Sequence, residues 1–162
     1  MTRRPMGDPF DSTALWEHIK PILARELGWE YAMRVFEKAR WINPPQEFTV
    51  GPSQVTLQTE PGTDFWQRTF YGFRNNNAPA LLLDRSDNFT FSVSIECEYT
   101  TLFDQAGIVV WIDEDNWIKA SLEYENEEFS RLGVVVTNSG YSDWSTRNSP
   151  AVPRIEFRVS RR

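Results

Sequence analysis

A chain of 162 residues, 40% of them apolar, is long enough to bury a core, and its net charge of −6 disfavours a nucleic-acid backbone as partner. Seven tryptophans, eleven phenylalanines and five tyrosines exclude a disordered chain. The lone cysteine, Cys97, excludes an intrachain disulfide, and the longest apolar stretch, Gly107 to Ile112, is too short to span a bilayer.

Residues 1–10 carry Pro5, Gly7 and Pro9 without periodicity and read as a flexible arm with no signal-peptide core. A cytoplasmic protein without membrane or nucleic-acid partners is the expectation. The arginines near the two ends, among them Arg3, Arg4, Arg158 and Arg162, read as solvated. Residues 11–40 are expected to be helical. Asp11 and Ser12 are N-cap types, and Leu15, Ile19, Ile22 and Leu23 recur at helical spacing. Gly28 is a stop signal, and Trp29, Met33, Phe36 and Arg40 form a second stripe. Asn43-Pro44-Pro45 ends the helical region. The expected division is therefore an arm and helical extension, 1–40, followed by a β domain, 41–162.

After Pro45 the period changes to two. Val55, Leu57 and Thr59 alternate with Thr56 and Gln58, and Pro61-Gly62-Thr63-Asp64 and Asn75-Asn76-Asn77-Ala78-Pro79 read as turns. Phe89, Phe91, Val93, Ile95, Cys97 and Tyr99 alternate with polar residues, the pattern of a half-buried antiparallel strand. Ala106 to Ile112 is apolar on both faces. The turn Asp113-Glu114-Asp115-Asn116 leads into Ile118, Ala120, Leu122 and Tyr124, alternating with Trp117, Lys119, Ser121 and Glu123. Strands over Leu132 to Thr137 and Ile155 to Val159 follow. Many short strands joined by turns predict an antiparallel sandwich or barrel.

Strand parity sorts these side chains onto two faces. One holds Phe91, Val93, Ile95, Ile108, Val110, Ile118, Ala120, Leu122, Val134 and Val136 and is the expected core. The other mixes Trp111 and Trp117 with Glu96, Glu98, Gln105, Lys119, Glu123 and Arg131 around the small residues Gly107, Ser121 and Gly133. Indoles stack on the apolar face of a sugar ring, and neighbouring carboxylates and amides bind its hydroxyls. The competing reading is that Trp111 and Trp117 are covered by other parts of the chain.

Four ordered stretches carry a family resemblance. They are Pro61-Gly62-Thr63-Asp64-Phe65-Trp66-Gln67-Arg68-Thr69-Phe70-Tyr71-Gly72-Phe73, Phe103-Asp104-Gln105-Ala106-Gly107, Asp113 to Ala120, and Val134-Val135-Val136-Thr137-Asn138 with Tyr141-Ser142-Asp143-Trp144-Ser145. From Trp41 to Arg162 the chain resembles the uncharacterised concanavalin A-like family that includes the regulation-of-enolase protein. The resemblance implies a jelly-roll β-sandwich and no established catalytic residues. The family pattern continues past Ile155–Arg162 with further strands, so the sandwich is expected to be C-terminally truncated. Its open edge then offers a route to self-association. The helical segment 11–40 precedes the family's usual start.

Catalysis is the weaker expectation. A glycosidase needs two carboxyl groups about 5–5.5 Å or 6.5–9.5 Å apart. Glu96 and Glu98 share a strand face about 6.6 Å apart along the backbone, with Glu123 as a third candidate. No further carboxylate follows Glu98 in register. His18, the only histidine, offers no triad, and Cys97 alternates with core residues and reads as an inert thiol. No metal or cofactor is expected; the acidic turn at Asp113 to Asn116 lacks the EF-hand pattern. The leading expectation is a non-catalytic binding or regulatory module for a carbohydrate-like ligand or a protein partner. Its site is expected to include Gln105, Trp111, Trp117, Lys119 and Glu123, with Asp64, Trp66, Tyr141 and Trp144 contributed by loops. The alternative is a glycoside hydrolase-like enzyme using Glu96, Glu98 and Glu123.

Overall fold

The computed structural model describes residues 35–162, apart from Pro52 and Tyr71. The helical stretch expected over residues 11–34, His18 included, lies outside the described residues. Of its continuation, Val35–Lys38 forms a short 3-10 turn. Arg40, placed on the helical stripe, instead opens a strand.

Twelve strands follow: β1 (Arg40–Ile42), β2 (Phe48–Val50), β3 (Val55–Leu57), β4 (Phe65–Gln67), β5 (Arg74–Asn76), β6 (Ala80–Leu82), β7 (Phe89–Glu96), β8 (Gln105–Asp113), β9 (Asn116–Tyr124), β10 (Phe129–Asn138), β11 (Tyr141–Pro150) and β12 (Arg154–Arg161). All pairings among them are antiparallel, and no helix among the described residues is long and apolar enough to cross a membrane. The chain divides into two compact units, Met1–Ala39 with Phe48–Leu57, and Arg40–Glu47 with Gln58–Arg162. In the first, β2 and β3 form a hairpin closed by the Gly51 N–H donating to the Gln54 carbonyl at 2.8 Å.

The second unit is built on a four-stranded sheet of order β11-β10-β9-β8, accompanied by the pairs β12-β7, β1-β6 and β4-β5. This arrangement is consistent with a β-sandwich. A two-residue turn joins β10 to β11: Ser139 and Gly140 both have positive φ, 50° and 76°, as a type I′ hairpin turn requires. Glycine is also needed there because a Cβ on residue 140 would lie 2.0 Å from the Arg68 guanidinium.

The two faces of the four-stranded sheet exist as the alternation predicts, but their roles are not those expected. Trp111, Trp117, Thr137 and Ser142 form one cross-strand row, and Val109, Lys119, Val135 and Trp144 the next. Phe65 from β4 and Ala80 and Leu82 from β6 close over Trp117 and Val135. The Phe65 ring lies 5.3 Å from Trp111 and 5.7 Å from Trp117, tilted, and Trp117 is only 1% exposed. This cluster is the principal core of the unit. On the opposite face Leu122 is sealed and Tyr124 stacks on Tyr99 at 6.1 Å. Ile118, Val134 and Val136, expected in the core, are 43%, 41% and 44% exposed. The physical reason is that three-residue strands deliver bulky apolar groups to the tryptophan face. The β7–β12 pair, with Val93 opposite Phe157 and Ile95 opposite Ile155, supplies the buried Phe157 and half-buried residues around it.

Three further expectations change. The asparagine run expected as a turn begins inside β5, where Asn76 pairs with Phe65 and Asn75 with Trp66. Trp66 lies on β4, not in a loop. Tyr141 and Trp144 lie on β11, a ten-residue strand whose sequence is polar on both sides and so carries no hydrophobic period.

Candidate functional site

Below the sealed tryptophan end, the same face of the sheet becomes polar. Gly107, Ser121, Gly133 and Thr146 form a row of small residues across four strands, and Gln105, Glu123, Arg131 and Asn148 form the row beyond. Asp64 enters this region from the segment before β4. Because it adjoins Phe65, the residue that seals Trp117, one backbone position fixes both the seal and the carboxylate.

Asp64 organises a hydrogen-bonded chain. Lys119 Nζ donates to its Oδ1 at 2.7 Å, and Gln105 Nε2 donates to the same oxygen at 3.3 Å. Ser121 Oγ in turn donates to Gln105 Oε1 at 3.2 Å. The Lys119 side chain is 12% exposed and that of Asp64 29%, so the ion pair is shielded from water on most sides. Such a pair holds its geometry because either charge alone would be poorly solvated.

Glu123 stands beside this chain and is not part of it. Burial raises its carboxyl above the ordinary glutamate range, Lys119 and Arg131 pull it back, and the charges of Asp64 and Glu125 add to the rise. Arg131 is occupied by Glu125, to which its Nε donates, and Lys119 by Asp64. Among the described residues Glu123 has neither a hydrogen-bond nor an ion-pair partner. A half-buried carboxylate with a raised pKa and unused acceptors is a marker of a functional position.

Trp144 forms the rim. Its indole turns its N–H edge to Gly133, where an added Cβ would sit 2.4 Å from the indole nitrogen. The Arg131 guanidinium lies 6.0 Å from the Trp144 ring centre and 5.9 Å from that of Phe129, so the indole is held between Gly133 and a cation. Trp144 remains exposed on its outer side.

Of the residues expected in the site, the structure brings Asp64, Gln105, Lys119 and Glu123 together, with Trp144 on a neighbouring strand. It separates the others. Trp117 is in the core, so its indole has no open face for a ligand. Trp66 is half-buried against the core, and its indole N–H donates to the Thr69 carbonyl at 2.7 Å. Tyr141 is exposed at the β10–β11 turn, with the Arg68 guanidinium 5.4 Å from its ring centre. Trp111 packs against Phe65 and lines a separate cavity described below. Ser121 and Glu125 are additions. Ser121 was legible as a small residue on the right face, whereas the pairing of Glu125 with Arg131 spans the β9–β10 connection and has no sequence signature.

Glu96 and Glu98 are not gathered into this site. They are exposed, at the end of β7 and just past it, and neither is among the charges acting on Glu123. Cys97 is half-buried, and desolvation followed by the nearby Asp104 charge raises its thiol. Its neighbour Tyr99 is pushed up to about 12, chiefly by burial. In the acidic turn, Asp113 accepts the Asp115 N–H at 2.9 Å and the Asn116 side-chain amide at 2.8 Å, so this carboxylate closes the turn.

The chain has relatives. It is 42% identical over 106 residues to "Regulation of enolase protein 1" of Saccharomyces cerevisiae, an alignment that covers 65% of this chain and 52% of that protein. The chain thus spans about half the length of this curated relative. It also resembles the crystal structure of a functionally unknown protein from Saccharomyces cerevisiae, with a TM-score of 0.72 and 36% identity, over 78% of this chain and 68% of that one. Residues 41–162 match the family described as "Protein of unknown function (DUF1349)", and the chain belongs to that family.

Proposed function

We propose that this chain is a non-catalytic binding and regulatory module of concanavalin A-like fold, and that the open end of its four-stranded sheet takes a hydroxyl-rich, carbohydrate-like ligand. The Glu123 carboxylate, without a partner among the described residues, carries this reading. It stands ready to accept hydroxyl donors, while the Asp64–Lys119–Gln105–Ser121 chain holds a fixed set of donors and acceptors beside it. Trp144 supplies the flat apolar surface at the rim. Among the described residues no second carboxylate stands free across from Glu123, which argues for binding over hydrolysis. Such a module works in the cytoplasm.

The test is a glycan array followed by calorimetry on the strongest hits. Binding should fall at least about tenfold in Glu123→Gln and in Trp144→Ala, since each removes a direct contact. An array without hits, or hits bound equally by both variants, overturns the reading.

A second reading, a protein partner, is favoured by the relative's printed name and by one surface feature. The loop after β4 is closed by the Arg68 N–H donating to the Phe73 carbonyl at 2.7 Å, and it holds Phe70 81% exposed at a φ of 73°. A bulky residue kept in that conformation is backbone strain that surrounding contacts must offset. Loss of a captured cytosolic protein in Phe70→Ser, with the Glu123→Gln variant still competent, would favour this reading over the first.

A further inference from the structure

On the same sheet face, on the far side of Phe65 from Glu123, lies a cavity of about 180 Å³ lined by Ile42, Asn43, Asn76, Trp111 and Glu114. Its volume is below that of pockets for whole drug-sized ligands, roughly 300–1,000 Å³, and suits the end of a chain. The polar groups in its wall have one chemistry in common. Asn76 Oδ1 is buried and receives no hydrogen bond from the described residues, an arrangement that leaves an acceptor desolvated without compensation. Asn43 is oriented by its Nδ2, which donates to the carbonyls of Asn76 and Ala78, both at 2.9 Å, so its Oδ1 is left as an acceptor. Glu114 adds a carboxylate. Arg74 is shared by two carboxylates, 2.9 Å from Asp115 and 3.9 Å from Glu114, so one guanidinium faces two negative charges. Ile42 and the Trp111 indole supply the apolar walls.

We propose that this cavity binds a primary alkylammonium group, the chemistry of a lysine side-chain end or of a small free amine. An ammonium brings three N–H donors, and Asn43, Asn76 and Glu114, all in the cavity wall, each carry a side-chain oxygen that can accept. Its positive charge is favoured by the Glu114 carboxylate and by the indole face of Trp111. Its methylenes match the apolar walls. A neutral sugar hydroxyl satisfies Asn76 but leaves the excess negative charge of Glu114 and Asp115 over Arg74 unmatched. The proposal is independent of the ligand reading at Glu123, with which it shares no residue.

The experiment follows the Trp111 indole N–H resonance in the full chain, assigned by its disappearance in Trp111→Phe. Three probes are added in turn at constant ionic strength: n-butylammonium, Nα-acetyl-lysine N-methylamide and the neutral 1-pentanol. Both ammonium probes should shift the resonance saturably in the millimolar range, the ceiling for so few atoms. Pentanol should not. Glu114→Gln, at an exposed turn position that leaves the fold intact, should weaken ammonium binding roughly two- to fivefold. Tighter binding of the lysine derivative assigns a peptide as the source, and equal binding assigns a free amine. A resonance unmoved by either ammonium, an equal response to pentanol, or an unchanged affinity in Glu114→Gln overturns the proposal.

Discussion

The two ends of one sheet face have opposite fates. At the Trp117 end, Phe65, Ala80 and Leu82 seal the surface into the principal core of the unit. At the Glu123 end, four small residues in a row and a shielded ion pair leave it polar and open on the Trp144 side. Both ends have the same strand parity, and Lys119 is only two residues from Trp117. What differs is what lies above, so a face is made core or site by its cover.

Substitutions at the two ends should therefore behave differently. The largest effect is expected from Trp117→Ala, which empties the centre of the core and should cost about 3–5 kcal/mol in denaturant unfolding. A loss under about 1 kcal/mol would mean that the Phe65 seal is not the core. Next comes Asp64→Ala, which leaves Lys119 shielded and unpaired. We expect a loss of about 1–2 kcal/mol, below the figure for a fully buried pair because Asp64 is partly exposed. The double variant Asp64→Leu with Lys119→Met should recover much of it.

Gly133→Ala should follow, at about 1 kcal/mol, because its Cβ must push the Trp144 indole off the sheet. The change should appear as a red shift of tryptophan emission. Glu123→Gln should have the smallest effect and the opposite sign. The native carboxyl is raised above its unfolded value, so the folded chain binds more protons than the unfolded one near the carboxylate range. The wild type should therefore lose stability relative to Glu123→Gln as pH rises through the native pKa. The gap should be widest at neutral pH and close below the unfolded value. A variant less stable than wild type at pH 7 would show that Glu123 is a structural partner, not a free group.

Much of this fold could be read from the residues. The alternation from Phe89 to Ile95 is β7, and that from Trp117 to Tyr124 is β9, with the two faces divided as parity requires. β11 was not legible, since an edge strand exposed on both sides gains nothing from apolar alternation. Nor was the identity of the covered face. The strands that decide it, β4 and β6, have three residues each, too few for a period to register. Asp64, Gln105, Lys119 and Glu123 could be named as site residues from their types and parity. That Lys119 is spent on Asp64, 55 positions away, while Glu123 has no partner among the described residues is a tertiary fact. The Asn76 cavity was hidden for a similar reason, because an asparagine run is a turn signal whether or not one of its oxygens is orphaned.

The open end of the sheet face stands or falls on the state of one carboxyl group. Titrating the Glu123 side-chain carbon by NMR, in the wild type and in Lys119→Met, measures it directly. A midpoint above that of the exposed glutamates, rising further once the lysine charge is gone, is the predicted result. A midpoint level with the exposed glutamates and indifferent to Lys119 would contradict it.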